Sequence, residues 1–390
     1  GTTAGRIVDP EAFRSVAEGW VEESRERMRR RVDAVARVSE GLAAGDGPEV
    51  VAALLDESAA LERDGTPAEA EAWAEAAFEA ALTLSVPRAA EARRRAARCA
   101  RAQGDLMRAR AGYEDAWVRA SEAGLWEDAV VAATGRGNVS VDVGRWREAE
   151  GWYERALEVL SRPTHGLDEV VERGLRWRLC QNLGITHRER GDLVGAEGWY
   201  ARAEDASRDL GETSAVVEIG NGRGQLYLAR RDLAAAEMSF RKALAAMAGE
   251  GPNAIRVAVR TNLAEALLLR GRTLEAGVMA REAEEEAIRG QHVSRLPAVY
   301  RVLAQIVSER GEGEAFVFVE HALKIAREAG LPPLQEALTL RTWADLREAQ
   351  GEHHLASQAR ARAEELLSGH PIRTSESEED PDHPRPGGAS

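Results

Sequence analysis

Lysine is almost absent from these 390 residues. Of 52 basic side chains only Lys242 and Lys324 are lysines, so arginine carries nearly all the positive charge against 66 acidic residues, for a formal net charge of −14. A chain this acidic lacks the field that neutralises phosphates, and a general nucleic-acid binder is not expected. Cys99 and Cys180 are the only cysteines, too few for a disulfide framework and consistent with a reducing, cytoplasmic compartment. No long apolar run occurs, so no membrane span is expected, and the opening Gly1-Thr2-Thr3-Ala4 has no apolar core of the secretory kind. Aromatics make up 5%. Alanine supplies much of the 44% apolar fraction, and small apolar residues suit packed helices better than a sheet.

Chemistry-bearing motifs are also missing. A phosphate-binding P-loop needs Gly-Lys-Ser/Thr, but Lys242 follows an arginine and Lys324 a leucine. Gly220-Asn221-Gly222-Arg223-Gly224 is glycine-rich without a strand–helix context. The histidines are scattered, and the adjacent His353 and His354 point to different sides of a helix, so no metal site is expected. Cys180 and His187 lie about 10 Å apart along one helix, too far for a nucleophile pair. No Gly-x-Ser-x-Gly elbow occurs. The expectation is a non-enzymatic protein without cofactor or metal.

What is present is a repeat. Gly or Arg followed by a helical run recurs at Gly65, Gly104, Gly144, Gly191, Arg231, Gly271, Gly311 and Gly351, at steps of 39, 40, 47, 40, 40, 40 and 40. Seven residues before each marker sits a small residue: Ser58, Ala97, Gly137, Gly184, Gly224, Ala264, Ala304 and Ala344. Five after it stand Ala70, Ala109, Ala149, Ala196, Ala236, Ala276 and Ala356, with Ala315-Phe316 shifted by one. Twelve after it stand Ala77, Ala116, Ala156, Ala203, Ala243, Ala283 and Ala363, with Ala322 in the shifted copy. Nine after it the central copies carry Tyr113, Tyr153, Tyr200 and Phe240. The marker reads as a helix C-cap in the left-handed conformation. The small positions read as helix crossings, and the aromatic reads as a knob between one hairpin and the next. Each unit is then an antiparallel pair of helices, each about 26 Å long, that must stack on its neighbours.

This pattern resembles the tetratricopeptide repeat family. The closest copies run from Asn182-Leu183-Gly184-Ile185 through Gly191 to Ala196, Tyr200 and Ala203, and from Gly224-Gln225-Leu226-Tyr227 through Arg231 to Ala236, Phe240 and Ala243. The resemblance covers about residues 49–368. The usual unit of the family is 34 residues, and the longer unit here is similar to that of kinesin light chains. It implies an all-α fold, a right-handed α-solenoid of about eight hairpins with an N-terminal capping or docking helix. It also implies a protein- or peptide-binding groove lined by the first helix of each pair.

Counting three before, one after and four after each crossing residue gives the groove positions. They are Arg94, Arg98 and Arg101; Thr134, Asn138 and Val141; Gln181, Ile185 and Arg188; Asn221, Gln225 and Leu228; Thr261, Glu265 and Leu268; then Arg301, Gln305, Arg341 and Asp345. Amides in the middle suit the unpaired N–H and C=O groups of an extended peptide. Arginines at the ends suit an acidic or mixed segment. In longer-unit relatives an asparagine at the places of Asn182 and Asn262 resembles a backbone clamp.

The flanks complete the expected organisation: residues 1–8 a flexible start, 9–44 one helix, 49–368 the repeats, 369–390 a disordered acidic tail. Asp9-Pro10-Glu11 reads as a helix start. Phe13, Val16 and Trp20, continued by Met28, Val32, Val35 and Leu42, form an apolar stripe. It reads either as a cap on the stack or as a docking face for another protein or a second copy of the chain. The leading functional expectation is a non-catalytic adaptor or scaffold binding a protein segment in its groove. Two alternatives stand beside it. One is a regulatory sensor or substrate subunit of a bacterial signalling or defence module with a separate protease, kinase or transcription factor. The other is a structural protein that self-associates through the N-terminal helix. Alanine and arginine in place of lysine fit a GC-rich bacterial genome.

Overall fold

The computed structural model describes residues 10–163, 166–248, 253–311 and 313–368, with side chains from residue 25 onward. Among the described residues there are seventeen α-helices, one 3-10 turn at Val293–Arg295, and no strand. After α1 (Pro10–Ala44) come eight antiparallel pairs. They are α2 (Gly47–Arg63) with α3 (Pro67–Thr83), α4 (Ala89–Ala102) with α5 (Leu106–Glu122), α6 (Trp126–Asp142) with α7 (Trp146–Leu160), and α8 (Glu169–Glu189) with α9 (Leu193–Ser207). Then follow α10 (Thr213–Ala229) with α11 (Leu233–Ala246), α12 (Ala254–Leu269) with α13 (Thr273–Arg289), α14 (Leu296–Glu309) with α15 (Ala315–Glu328), and α16 (Pro333–Ala349) with α17 (His353–Ser368). The seven residues added between Gly144 and Gly191 are taken up by the turn after α7 and by α8, which at 21 residues is the longest first helix of any pair. None of the described helices is long and apolar enough to cross a membrane.

The marker residue makes each hairpin. All eight have positive φ, from 61° at Arg231 to 84° at Gly191, a conformation that glycine enters freely. In three hairpins an aspartate follows and caps the next helix, as Asp105 accepts from Arg108 N, Asp192 from Gly195 N and Asp232 from Ala235 N. The same aspartates donate their own N–H back across the turn, to Ala100, His187 and Tyr227 carbonyls, at 3.0, 2.9 and 2.9 Å. One glycine and one aspartate thus satisfy the orphan groups of two helix ends at once.

The chain divides into two compact units, Gly1–Arg136 with Arg155–Leu167 and Gly137–Glu154 with Asp168–Ser390. In the first, α1 packs on α2 through Ala34, which is buried, and Val38, which lies against Val50, Val51, Leu54 and Leu55. Its arginines pair with acids of the repeats: Arg30 with Asp64, Arg31 with Glu69, and Arg37 with Glu49 at 2.7 Å and Asp56 at 3.0 Å. Met28, Val32, Val35 and Leu42 face solvent. Of the two readings of the apolar stripe, cap or docking face, these four residues do not fit the cap, because they form the outer side of the helix. Asp9, the side chains of Phe13, Val16 and Trp20, and the tail from 369 lie outside the described residues.

In the second unit successive first helices touch: α8 with α10, α10 with α12, α12 with α14 and α14 with α16. Successive second helices make no comparable contact, so the row of first helices forms the inner side of the curve. The crossing residues are buried as expected. The knob fills space within its own hairpin as well as towards the next, where Tyr113 lies against Gly135. Tyr153, Tyr200 and Phe240 lie over the crossing glycines Gly137, Gly184 and Gly224 of their own hairpins, and Tyr200 also lies against Gly222 of the next.

Candidate functional site

Core packing fixes which side of each first helix is inward, and the remaining side chains share one face. On that face two asparagine pairs bridge neighbouring helices. Asn182 Nδ2 donates to Asn138 Oδ1 at 3.4 Å, and Asn262 Nδ2 donates to Asn221 Oδ1 at 2.8 Å. Asn138 Oδ1 also accepts the Tyr153 hydroxyl at 2.7 Å, so that packing knob reaches through its hairpin to the inner face. Each pair leaves one NH2 group, on Asn138 and Asn221, and one carbonyl oxygen, on Asn182 and Asn262, without a protein partner among the described residues. The two asparagines expected as clamps and two expected groove residues are thus joined into matched pairs.

Charged groups lie further along the same face. Arg188 Nη1 donates to Gln225 Oε1 at 2.6 Å and to the Tyr200 hydroxyl at 3.3 Å, and its Nη2 pairs with Glu189 at 2.6 Å. Arg301 Nη1 makes only two long contacts, to Gln335 Oε1 and Thr339 Oγ1, both at 3.4 Å. Burial pushes the Arg301 guanidinium down to about 10, with Glu265 the only opposing influence. The Glu265 carboxyl is raised by burial, and the charges of Arg301, Arg188 and Arg231 offset that only in part. Nearby Glu218 is raised by burial as well, against Arg178 and Arg295.

Other expected groove residues are placed as follows. Gln181 and Thr261 are buried: Gln181 Nε2 donates to Glu218 O and Thr261 Oγ1 to Val257 O, both at 2.8 Å. Gln181 thus ties α8 to α10, Thr261 bonds back within its own helix, and neither is open to a ligand. Gln305 is half-buried and Arg341 exposed. In the first unit Arg94 is paired with Asp128 at 3.0 Å and Arg98 with Glu62, while Arg101 is half-buried. Arg94, half-buried, and Arg98, exposed, are both neutralised by acids of the repeats, so neither is the free arginine expected at this end. Arg231 was taken as a turn marker only. Its signal in the sequence was that it alone among eight markers is not glycine.

Two further features lie apart from these groups. A cleft of about 940 Å3 opens between α9, α10 and α11 on the outer side, where Gly220 stands at the place taken by Arg93, Arg260 and Tyr300 in other repeats. Of its cations, Arg223 is bonded to Glu204 at 2.7 Å and to the Tyr227 hydroxyl at 3.0 Å and Arg208 is paired with Asp205 at 3.1 Å, while Lys242 makes no ion pair among the described residues. Both cysteines are buried, and burial pushes their thiols up to about 12 for Cys99 and about 11 for Cys180, which removes the thiolate a nucleophile needs. Among the described residues no group of three His, Cys, Asp or Glu is arranged to hold a metal ion.

No family model matches the chain, and no curated protein does. Solved structures do. The Rap conjugation gene regulator of the plasmid pLS20, in complex with the Phr* peptide, is 14% identical with a TM-score of 0.58 over 72% of this chain and 74% of that one. A Rap protein complexed with Competence and Sporulation Factor is 13% identical with a TM-score of 0.57 over 82% and 98%. A tetratricopeptide repeat protein from Parabacteroides merdae overlaps more loosely, at 15% identity and a TM-score of 0.49 over 74% and 98%. The fold is an all-α stack of helix hairpins, shared with the two Rap structures.

Proposed function

We propose that the chain is a non-catalytic binding scaffold that captures an extended peptide or protein segment on the inner face of its second unit. The observation that supports this is the pair of asparagine bridges, Asn138 with Asn182 and Asn221 with Asn262. Each offers donors and an acceptor on neighbouring helices, and an extended segment presents alternating backbone N–H and C=O groups to meet them. Recognition through backbone groups fixes a segment without demanding one sequence. The Phr* peptide complex of a structure with this fold agrees with the reading, as do free, buried cysteines with a reducing cytoplasm.

The test is an array of synthetic hexapeptides probed with the full chain and with its Asn182→Ala/Asn262→Ala variant. Losing two charge-neutral clamps should weaken capture about 10-fold or more across unrelated sequences. Equal capture by the variant would remove the inner face as the site.

A second reading concerns α1. Met28, Val32, Val35 and Leu42 are exposed at steps of four, three and seven residues, positions compatible with a coiled-coil seam. It would dock a separate effector or a second copy. Val32→Glu/Val35→Glu leaves the buried Ala34 and Val38 in place. If light scattering gives the same monomer mass for it and the unaltered chain, self-association is ruled out.

A further inference from the structure

We propose that the cleft of about 940 Å3 between α9, α10 and α11 binds a small aromatic carboxylate, its ring filling the space over Gly220 and Ser239 and its carboxylate meeting Lys242. The cleft is on the outer side of the stack, so this site stands apart from capture on the inner face and goes beyond it.

The repeat shows how the cleft arises. At the place of Gly220 other first helices carry Arg93, Arg260 and Tyr300, and at the place of Lys242 their second helices carry Asp115, Glu282 and His321. These residues meet: Arg93 with Asp115 at 3.3 Å, Arg260 with Glu282 at 3.5 Å, and the Tyr300 ring with the His321 ring at 6.0 Å between centroids. Each such pair bridges the two helices of its hairpin. Between α10 and α11 the long side chain is absent, and a cation stands where its acid would be. A Cβ added to Gly220 would find nothing nearer than Ala243 Cβ at 3.5 Å and Ser239 O at 3.8 Å. Packing therefore does not require a glycine here, although glycine inside a helix weakens it.

Ser239 enlarges the same space. Its place is held by Trp73, Trp152 and Trp199 in α3, α7 and α9. In α9 the cation at the place of Lys242 is Arg202, whose guanidinium lies 4.4 Å from the centre of the Trp199 ring. Lys242 has neither a ring beneath it nor an ion pair among the described residues. Ser239 and Lys242 are three residues apart on α11 and so share one face of the helix, and both line the cleft. A ring is missing and a cation is left over at one spot, so a ligand that supplies a ring and an anion replaces both partners.

The rest of the lining agrees. Val216, Ile219 and Met238 offer apolar surface to a ring. The acids Glu204 and Glu212 are already engaged, Glu204 by Arg223 at 2.7 Å, Glu212 by Arg178 at 3.2 Å and by Trp177 Nε1 at 3.1 Å. Asp209 makes no ion pair among the described residues and opposes a second negative charge, which favours a carboxylate over a phosphate ester. The volume falls within the roughly 300–1,000 Å3 of small-molecule sites.

Indole-3-propionate, whose ring matches the missing tryptophan, is titrated into the full chain by isothermal calorimetry. Its uncharged amide and an amidated hexapeptide containing tryptophan and aspartate are titrated beside it. The acid should bind saturably at one site and the amide about 10-fold or more weakly, as loss of a charge-assisted contact implies. Lys242→Gln should lower the acid to the level of the amide. Gly220→Tyr and Ser239→Trp restore side chains that other repeats carry and should each remove binding, while Asn182→Ala/Asn262→Ala should leave it unchanged. If one filled variant fails to fold by circular dichroism, the other decides. No binding of the acid at millimolar concentration, equal binding of acid and amide, or binding unaffected by the filled variants overturns the site. Binding of the hexapeptide in place of the acid assigns the cleft to a protein segment and overturns the small-molecule ligand.

Discussion

The ring of Phe240 lies so close over Gly224 that a Cβ added to the glycine would stand 2.3 Å from its Cε1. Tyr153 over Gly137 and Tyr200 over Gly184 repeat the relation at 2.4 and 2.6 Å. Where the residue nine after the turn is alanine, at Ala74 and Ala280, the crossing residue is Ser58 and Ala264. The two positions divide one volume: a ring takes it all and demands glycine, and a methyl leaves room for a second methyl or hydroxyl. Tyr113 is matched with Ala97 in sequence, but its ring lies instead against Gly135, where a Cβ would stand 2.2 Å away.

Gly224→Ala should therefore lower stability by about 1–3 kcal/mol through overpacking, and Phe240→Ala by about 3–5 kcal/mol through the cavity it leaves. The double variant recreates the pair found at Ala264 and Ala280, so its loss should be smaller than the sum. Urea unfolding followed by circular dichroism measures all three. Strict additivity would show that ring and glycine do not compete for the same space.

Tyr153→Phe separates the knob's two roles. Phe240 shows that the ring alone fills the hairpin, so the change should cost only about 1 kcal/mol, the worth of one hydrogen bond. Yet it removes the donor that holds Asn138 Oδ1. Peptide capture should fall more than the melting temperature suggests, and an unchanged affinity would mean that Asn138 is oriented well enough by Asn182.

Glu286 is the most deeply buried carboxylate described in the second unit. It is buried on α13, accepts from Asn253 N at 3.0 Å and Arg256 Nε at 2.7 Å, and also binds Arg260. It ties the start of α12 to the neighbouring helix. Glu286→Ala removes the buried carboxylate that binds both Arg256 and Arg260 and should cost about 3–5 kcal/mol. Glu286→Leu with Arg256→Met and Arg260→Met should recover much of that loss. If the triple variant is no more stable than the single one, the loss comes from shape and not from charge.

The period made the turns and crossings legible, because a left-handed C-cap and a close helix approach each admit very few residue types. Asn138, Asn182, Asn221 and Asn262 were found by their offset from the crossing residue. The same offset failed for Gln181, whose amide is long enough to reach the Glu218 carbonyl of the next helix. It failed for Arg94 and Arg98 because the acids that neutralise them stand 34 and 36 residues away, beyond what a local count detects. The N-terminal helix misled for another reason. Its strongest apolar stripe is exposed, and its buried side is built from Ala34, Val38 and paired arginines, which carry little hydrophobic signal.

Two carboxylates should respond to pH in opposite directions. Burial raises the Glu265 carboxyl above the ordinary 4.5, with Arg301, Arg188 and Arg231 compensating only in part. The folded chain then binds this proton more tightly than the unfolded chain, so ionised Glu265 opposes folding near neutral pH. The opposition fades as pH falls through its raised value towards 4.5. At Glu114 burial also pushes upward, but hydrogen bonds from Arg136 and Arg110 outweigh it and hold the carboxyl low. Its contribution is favourable above the ordinary 4.5 and is lost as pH falls through the lowered value. Glu265→Gln should accordingly be more stable than the unaltered chain near neutral pH, with the gain vanishing on acidification. Glu114→Gln should be less stable near neutral pH, and its deficit should close only at lower pH, after the gain at Glu265 has gone. Melting temperatures across the acid-to-neutral range measure both, and curves that run parallel to the unaltered chain's would mean that neither carboxylate is linked to folding.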